Sequence, residues 1–167
     1  SRGLGDVYKR QLQEFVDVLS NWYVRRCRER YWGKEMTADK EAAYMTLFTV
    51  LKTMALLSAP FTPFMAEEIY QNLVRSVDAS APESVHLCDF PVADEAMIDP
   101  ALEAHMAEAL SIVVLGRAAR NAANVKNRQP LSTMYVQGAE LPAMFVSIIA
   151  DELNVKQVEF VADASAF

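Results

Sequence analysis

Apolar residues recur at steps of three or four along most of this chain, a spacing that is typical of amphipathic helices. The first such stripe should end at Gly33, because glycine reaches the left-handed backbone conformation that often closes a helix. Two later stripes follow the pairs Thr62-Pro63 and Asp99-Pro100, in which a side-chain acceptor precedes a proline at the first helical position. The spacing predicts four helices, at about residues 12–33, 37–57, 62–75 and 99–125.

The period of the apolar residues changes after Pro130. Residues 133–137 and 157–161 are short alternating runs rich in β-branched and aromatic residues, which predicts two strands. Residues 141–153 predict a helix between them. A strand–helix–strand unit of this size is too small to be stable alone, so it indicates the opening of a second, mixed domain.

The chain therefore divides into three parts. Residues 1–11 have two glycines and no clear apolar period, and we leave them unassigned. Residues 12–130 form the helical bundle, in which Gly116 costs about 1 kcal/mol relative to alanine, so we expect close packing or a bend there. Residues 131–167 form the beginning of a truncated α/β domain. The predicted fold class is mainly α.

The net charge of −6 is an uneven sum. Residues 18–34 hold five basic residues and one acidic residue, and residues 109–139 hold four basic residues and no acidic residue. Residues 35–108, between them, hold 13 acidic and 3 basic residues. An anionic partner feels the local charge within a Debye length of about 8–10 Å, so the acidic total does not exclude a nucleic acid.

Composition and spacing exclude several classes of protein. With 52% apolar residues the chain can bury a core, so we do not expect it to be disordered. The sequence has no apolar run of roughly 18–20 residues, so we do not expect a membrane span. Cys27 and Cys88 lack the spacing of a disulfide framework or a zinc site, which favours a reducing, cytoplasmic location. His86 and His105 are isolated, and glycine-rich phosphate motifs are absent, so we predict no catalytic residue and no metal site.

The first basic segment interleaves arginines with aromatic residues on one predicted helix. Trp22 lies on the apolar stripe, so packing in the core is the simpler interpretation of that ring. The arginines either form a solvated face paired with carboxylates such as Glu29, or bind phosphate and stack on bases. Four arginines within six positions favour a functional face. The candidate nucleic-acid-binding residues of this segment are Asn21, Trp22, Arg25, Arg26, Arg28, Arg30 and Trp32.

The second basic segment, residues 117–128, combines cations with alanines and asparagines. Small residues allow a partner to approach closely, and asparagine offers both donors and acceptors to base edges. Alternatively, Lys126 and Arg128 complement the dipole at the end of the fourth predicted helix, and both interpretations stay open. The candidate residues of this segment are Arg117, Arg120, Lys126 and Arg128.

Five segments in a fixed order carry a resemblance to a known family. The first reads Leu-Ser-Asn-Trp-Tyr-Val-Arg-Arg from Leu19, and the second reads Ala-Pro-Phe-Thr-Pro-Phe-Met-Ala-Glu-Glu-Ile-Tyr from Ala59. Together the segments strongly resemble the anticodon-binding helical region of the isoleucyl-tRNA synthetases, a family of class I aminoacyl-tRNA synthetases. The Asn-Trp-Tyr-Val-Arg-Arg form resembles the eukaryote-like branch, which some bacteria also carry. The segments are residues 19–32, 59–70, 83–91, 117–131 and 151–160.

The resemblance implies a fragment of an isoleucine–tRNA ligase, an enzyme that attaches isoleucine to tRNA-Ile using ATP and Mg²⁺. The catalytic HIGH and KMSKS-type motifs of the family are not in this sequence. The implied role of the fragment is therefore to bind the anticodon arm of tRNA-Ile beside the remainder of the synthetase chain. We expect no cofactor, no membrane, no DNA and no catalysis for the fragment alone.

Two further expectations accompany the resemblance. Residues 1–11 do not resemble what normally precedes the first family motif, which suggests that they are non-native. The alternatives are the anticodon domain of a valine- or leucine-tRNA ligase, and a helical protein-interaction module without RNA binding.

Overall fold

A computed structural model describes residues 2–163, with side chains from Val7 onward. Ser1 and residues 164–167, which belong to the unassigned segment and to the predicted α/β domain, lie outside the described residues. The predicted mainly α fold is confirmed, with one small parallel sheet. The elements are α1 Arg2–Val18, α2 Arg28–Trp32, α3 Ala38–Ser58, α4 Pro63–Tyr70, α5 Pro100–Ala122, β1 Leu131–Gln137, α6 Ala143–Leu153 and β2 Val155–Val161.

Contacts divide the chain into two compact units. The first unit extends to Ala93 and holds α1 to α4, and the second begins at Asp94 and holds α5, α6 and both strands. The domain boundaries predicted from the sequence are 1–11, 12–130 and 131–167. They stay predictions, because the two units describe how the chain packs and do not define the limits of its domains. No helix among residues 2–163 has both the length and the apolarity that crossing a bilayer needs.

The first helix differs from its prediction at both ends. It begins at Arg2 rather than near residue 12, and the ring of Tyr8 packs 5.3 Å from that of Phe61, which precedes α4. After α1 the chain continues as a π-helix over Leu19–Val24 and is interrupted at Cys27 before α2. Gly33 closes α2 with φ −53°, so the expected left-handed cap was wrong.

The capping predictions have mixed outcomes. The carboxylate of Asp99 accepts the backbone N–H groups of Ala101 and Leu102 at 3.1 and 3.0 Å, so its predicted cap on α5 is confirmed. The predicted cap by Thr62 was wrong, because its hydroxyl instead donates to the carbonyl oxygen of Ser58 at 3.3 Å. That carbonyl belongs to the last residue of α3, where helical carbonyl groups lack partners within the helix.

The core of the first unit lies between α3 and α4, and its polar edge is organised by Glu67. Tyr70 is fully buried in this core and donates its hydroxyl to the carbonyl of Pro82 at 3.0 Å. The carboxylate of Glu67 accepts from Gln71, from the hydroxyl of Ser84 and from the N–H of Val85 at 2.7, 2.8 and 2.9 Å. Residues Val85–Leu87 form a 3-10 turn. Glu67 therefore ties α4 to this turn.

We predict that Glu67→Gln lowers the free energy of unfolding most at neutral pH. Hydrogen bonds from Gln71 and Ser84 hold the pKa of Glu67 below its ordinary value of 4.5. A lowered pKa contributes stability above the ordinary value, and that contribution is lost as the pH falls through the folded-state pKa. Urea unfolding between pH 7 and pH 3 should therefore show the variant and the wild type converging at acid pH.

Glu68→Gln is the matched control for this prediction. It removes the same charge from the next position of α4, where the carboxylate accepts from Asn72 of the same helical run at 2.8 Å. A loss of stability in Glu67→Gln that does not change with pH, or that equals the loss in the control at every pH, contradicts the role assigned to Glu67.

The second unit packs α5 against α6 beside two parallel strands. The strands pair from Leu131 with Val155 to Gln137 with Val161. Gly116 of α5 is buried, and a Cβ atom at that position would lie 2.4 Å from Cδ1 of Leu153. The expected close packing at Gly116 is confirmed.

We predict that Gly116→Ala lowers the free energy of unfolding when residue 153 is leucine and raises it when residue 153 is alanine. In the wild type the added methyl group meets Leu153, which is 2% exposed and cannot turn into solvent, so we expect a net loss of about 1 kcal/mol. In a Leu153→Ala background the methyl group fits, and the higher helix propensity of alanine should stabilise the unit by about 1 kcal/mol. A double-mutant cycle by urea unfolding measures both effects, and the same sign in both backgrounds refutes the packing argument.

Candidate nucleic-acid interface

The aromatic and basic residues of the first segment do not share one environment. Asn21, Arg25, Arg28 and Trp32 are exposed, whereas Trp22, Arg26 and Arg30 are half-buried. The interpretation of Trp22 as a core residue is therefore only partly met. The Nε of Arg25 donates to the carbonyl of Asn21 at 2.8 Å, one turn earlier on the same helix.

Two arginines stack on tryptophans within this segment. The guanidinium of Arg26 lies 5.4 Å from the centre of the Trp22 ring, and that of Arg28 lies 5.3 Å from the centre of the Trp32 ring. Trp32 is 74% exposed, so one side of a large aromatic surface faces solvent beside a cation. An exposed cation–π pair is worth about 0.5–1 kcal/mol, which modestly favours the stacked arrangement of the two side chains. Such a pair presents a flat surface on which an unpaired base can stack.

Arg30 has a structural role in the described fold. Its guanidinium donates to both carboxylate oxygens of Asp39, at 2.8 and 2.7 Å, and to the backbone carbonyl of that residue at 3.0 Å. The hydrogen bonds to Asp39 raise the pKa of Arg30 above its ordinary value. Because Asp39 lies in the first turn of α3, this pair fastens α2 to α3. Asp39 is a partner that the sequence analysis missed.

The candidate residues of the second segment separate in the same way. The guanidinium of Arg117 forms an ion pair with Glu152 of α6, whose side chain is buried. Arg120 is 5% exposed, and its guanidinium donates to four backbone carbonyl oxygens. The acceptors belong to Lys126, Gln129, Leu153 and Asn154, at 3.1, 3.0, 2.6 and 3.2 Å. Both arginines therefore hold the second unit together.

Lys126 and Arg128 are exposed on the loop that follows α5. The helix ends at Ala122, so both cations lie beyond its last turn, where the effect of the helix dipole has fallen off. The dipole interpretation therefore does not account for them. Asn154, which has φ +49°, donates its side-chain amide to the carbonyls of Asn127 and Arg128 at 3.2 and 3.1 Å. The sequence signal for this residue is an asparagine directly after a predicted helix, where a left-handed conformation is common.

The histidines do not take part in either basic segment. The ring of His105 packs 5.3 Å from that of Phe145, within the core of the second unit, and His86 is exposed. Across residues 2–163, no three His, Cys, Asp or Glu side chains gather in a way that could hold a metal ion. The groups that the two basic segments expose are cationic, aromatic and amide side chains.

Comparison with known proteins agrees with this chemistry. Residues 4–135 match the family described as the anticodon-binding domain of tRNA ligase. The chain belongs to this family. The match includes both basic segments and the exposed loop with Lys126 and Arg128. The cations of both segments therefore lie within the anticodon-binding domain.

Individual relatives of the chain are isoleucine–tRNA ligases. The chain is 58% identical to the isoleucine–tRNA ligase of Clostridium acetobutylicum over 94% of its own length. It is 51% identical to that of Thermus thermophilus over 89% of its length, and 46% identical to that of Chlamydia pneumoniae over 92%. The chain spans about 15% of the length of each of these relatives. All three relatives are bacterial, so the expected eukaryote-like branch is not supported.

Proposed function

We propose that this anticodon-binding domain is part of an isoleucine–tRNA ligase and binds the anticodon arm of tRNA-Ile. The observation that carries the proposal is the 58% identity to such a ligase over 94% of the chain. The parent enzyme then joins isoleucine to tRNA-Ile in the cytoplasm. The remainder of the synthetase chain is the second partner of the domain.

The exposed residues of the two segments are suited to two different contacts with RNA, base stacking and phosphate binding. Anticodon bases are single-stranded, so they can be stacked on aromatic rings or arginine planes and hydrogen-bonded at their edges. Trp32 with Arg28 offers such a surface, and stacking contributes about 1–3 kcal/mol per base. Lys126 and Arg128 are suited to phosphates, because they are exposed cations in a stretch without acidic residues. Arg30 supports the fold of the first unit, and Arg117 and Arg120 support that of the second.

The chemical step of the parent enzyme lies outside this domain in our proposal. ATP and Mg²⁺ supply the activation of isoleucine in the parent, and we assign no residue of this chain to either. The sequence lacks a glycine-rich phosphate loop, and the described residues lack a cluster of carboxylates that could hold Mg²⁺. We expect the chain alone to bind tRNA without aminoacylating it.

The first test is a filter-binding titration of the chain with transcripts of tRNA-Ile, tRNA-Val and tRNA-Leu at several salt concentrations. We expect tRNA-Ile to bind most tightly, with the logarithm of the affinity falling by about 0.7 per neutralised phosphate for each tenfold rise in salt. Tighter binding of tRNA-Val or tRNA-Leu identifies a different ligase. Binding that is absent or insensitive to salt favours the protein-interaction module and overturns the proposal.

The second test concerns the exposed arginines of the first unit in the intact synthetase. We expect Arg25→Ala/Arg28→Ala to lower kcat/KM for aminoacylation at least tenfold, mostly through a higher KM for tRNA-Ile, because contacts that act in binding are lost. Lys52→Ala, which removes an exposed cation of α3 outside both basic segments, is the control and should leave kcat/KM unchanged. Unchanged kcat/KM in a folded double variant argues against RNA contact by these arginines.

A further inference from the structure

Four consecutive carbonyl groups of the loop after α5 are hydrogen-bonded by only two side chains. Arg120 donates to the carbonyls of Lys126 and Gln129, and Asn154 donates to those of Asn127 and Arg128. The side chains of these four loop residues are all exposed. The backbone of the loop is therefore held from one side while its side chains project from the other.

The two residues of this clamp also hold each other. Arg120 donates to the carbonyl of Asn154 at 3.2 Å, and the same carbonyl accepts the N–H of Leu131 at the start of β1 at 3.1 Å. Asn154 is itself placed by its left-handed conformation, φ +49° and ψ +52°, directly after α6. The loop is thus fastened at a point where α5, α6 and β1 meet.

The clamp places a third cation beside the loop backbone as well as ordering the loop. Each of the four described hydrogen bonds of Arg120 ends on a neutral carbonyl oxygen, so these bonds leave its charge uncompensated. Residues 109–139 contain no acidic residue. Lys126 and Arg128, two positions apart, therefore project from a loop with a third cation beneath them. A charge close to a protein surface is weakly screened within a few ångströms.

We propose that Arg120 and Asn154 are positioning residues, which clamp the loop backbone so that Lys126 and Arg128 are held ready to bind phosphate groups of RNA. The inference rests on the proposed function, and it assigns Arg120 to the support of the phosphate-binding groups. Preorganisation matters here because ordering a long cationic side chain and its loop on binding costs affinity. The clamp removes most of that cost before the RNA arrives.

Asn154→Gly is the decisive variant. Glycine retains the left-handed backbone at this position without strain, so the substitution removes the amide donor and little else. Asn124→Gly is the matched control, because Asn124 has φ +53°, is exposed and precedes the clamped residues in the same loop. Lys126→Ala/Arg128→Ala supplies the reference for complete loss of the two cations.

The measurements are tRNA-Ile binding against salt and amide hydrogen exchange of the loop. Loss of two phosphate contacts lowers the steepness of the salt dependence by about 1.4. Between 1 M and 0.1 M salt, the affinity of such a variant therefore rises about 25-fold less than that of the wild type. Because the clamp lowers the cost of ordering two cationic side chains, we expect Asn154→Gly to weaken tRNA-Ile binding by about fivefold or more at every salt concentration. It should also speed amide exchange at residues 126–129 and 131. Asn124→Gly should keep the wild-type affinity. In the Lys126→Ala/Arg128→Ala background, Asn154→Gly should have no further effect on binding.

The outcomes separate this inference from the proposed function. A wild-type affinity in Asn154→Gly, or an equal loss of binding with and without the two loop cations, overturns the clamp. Binding of tRNA by the wild type then still upholds the proposed function. If the wild type does not bind tRNA, the proposed function is overturned, and so is phosphate binding by Lys126 and Arg128. Hydrogen exchange then tests only whether Arg120 and Asn154 order the loop. Arg120→Lys keeps the charge but cannot span four carbonyls, so it should resemble Asn154→Gly; if it fails to fold, Asn154→Gly carries the test.

Discussion

The buried guanidinium of Arg120 is the interaction on which the second unit depends most. A cation that is 5% exposed is costly to remove from water unless its donors are satisfied. Its acceptors lie in the loop after α5, at Lys126 and Gln129, and at the end of α6, at Leu153 and Asn154. One side chain therefore joins two parts of the chain that are 24 to 28 residues apart. The pairing of the strands begins beside this point, at Leu131 and Val155. The position of the loop and the start of the sheet therefore follow from the same requirement.

The cations of both basic segments divide into a supporting set and an exposed set. The supporting set binds carboxylates or carbonyls of neighbouring elements and consists of Arg30, Arg117 and Arg120. The exposed set consists of Arg25, Arg28, Lys126 and Arg128. Arginine suits the first role because its planar group carries five donors, which can reach several acceptors at once. In the proposed function, the exposed set supplies the candidate contacts with RNA.

Local features of the sequence predicted much of the fold. The apolar spacing located α3, α5 and α6 to within three residues at each end, and Asp99 caps α5 as its place before a proline indicated. The predictions failed where a tertiary contact or a local distortion intervened. Packing between Tyr8 and Phe61 accompanies a first helix that starts ten residues earlier than its apolar stripe. The π-helical turn over Leu19–Val24 contains Trp22 and shifts the side chains that follow it around the helix axis, so a regular period could not place Trp22 or Trp32.

The sequence by itself determined the mainly α class, the change to strands after Pro130, the two basic segments and the resemblance to an anticodon-binding region. These properties depend on residues a few positions apart, which periodicity and capping encode directly. Only the tertiary structure decided which cations are exposed and which support the fold. Arg30, Arg117 and Arg120 meet partners 9, 35 and 34 positions away, at Asp39, Glu152 and Asn154. An arginine has the same chemistry in either role, so its surroundings in the folded chain, and not its neighbours in sequence, determine what it does.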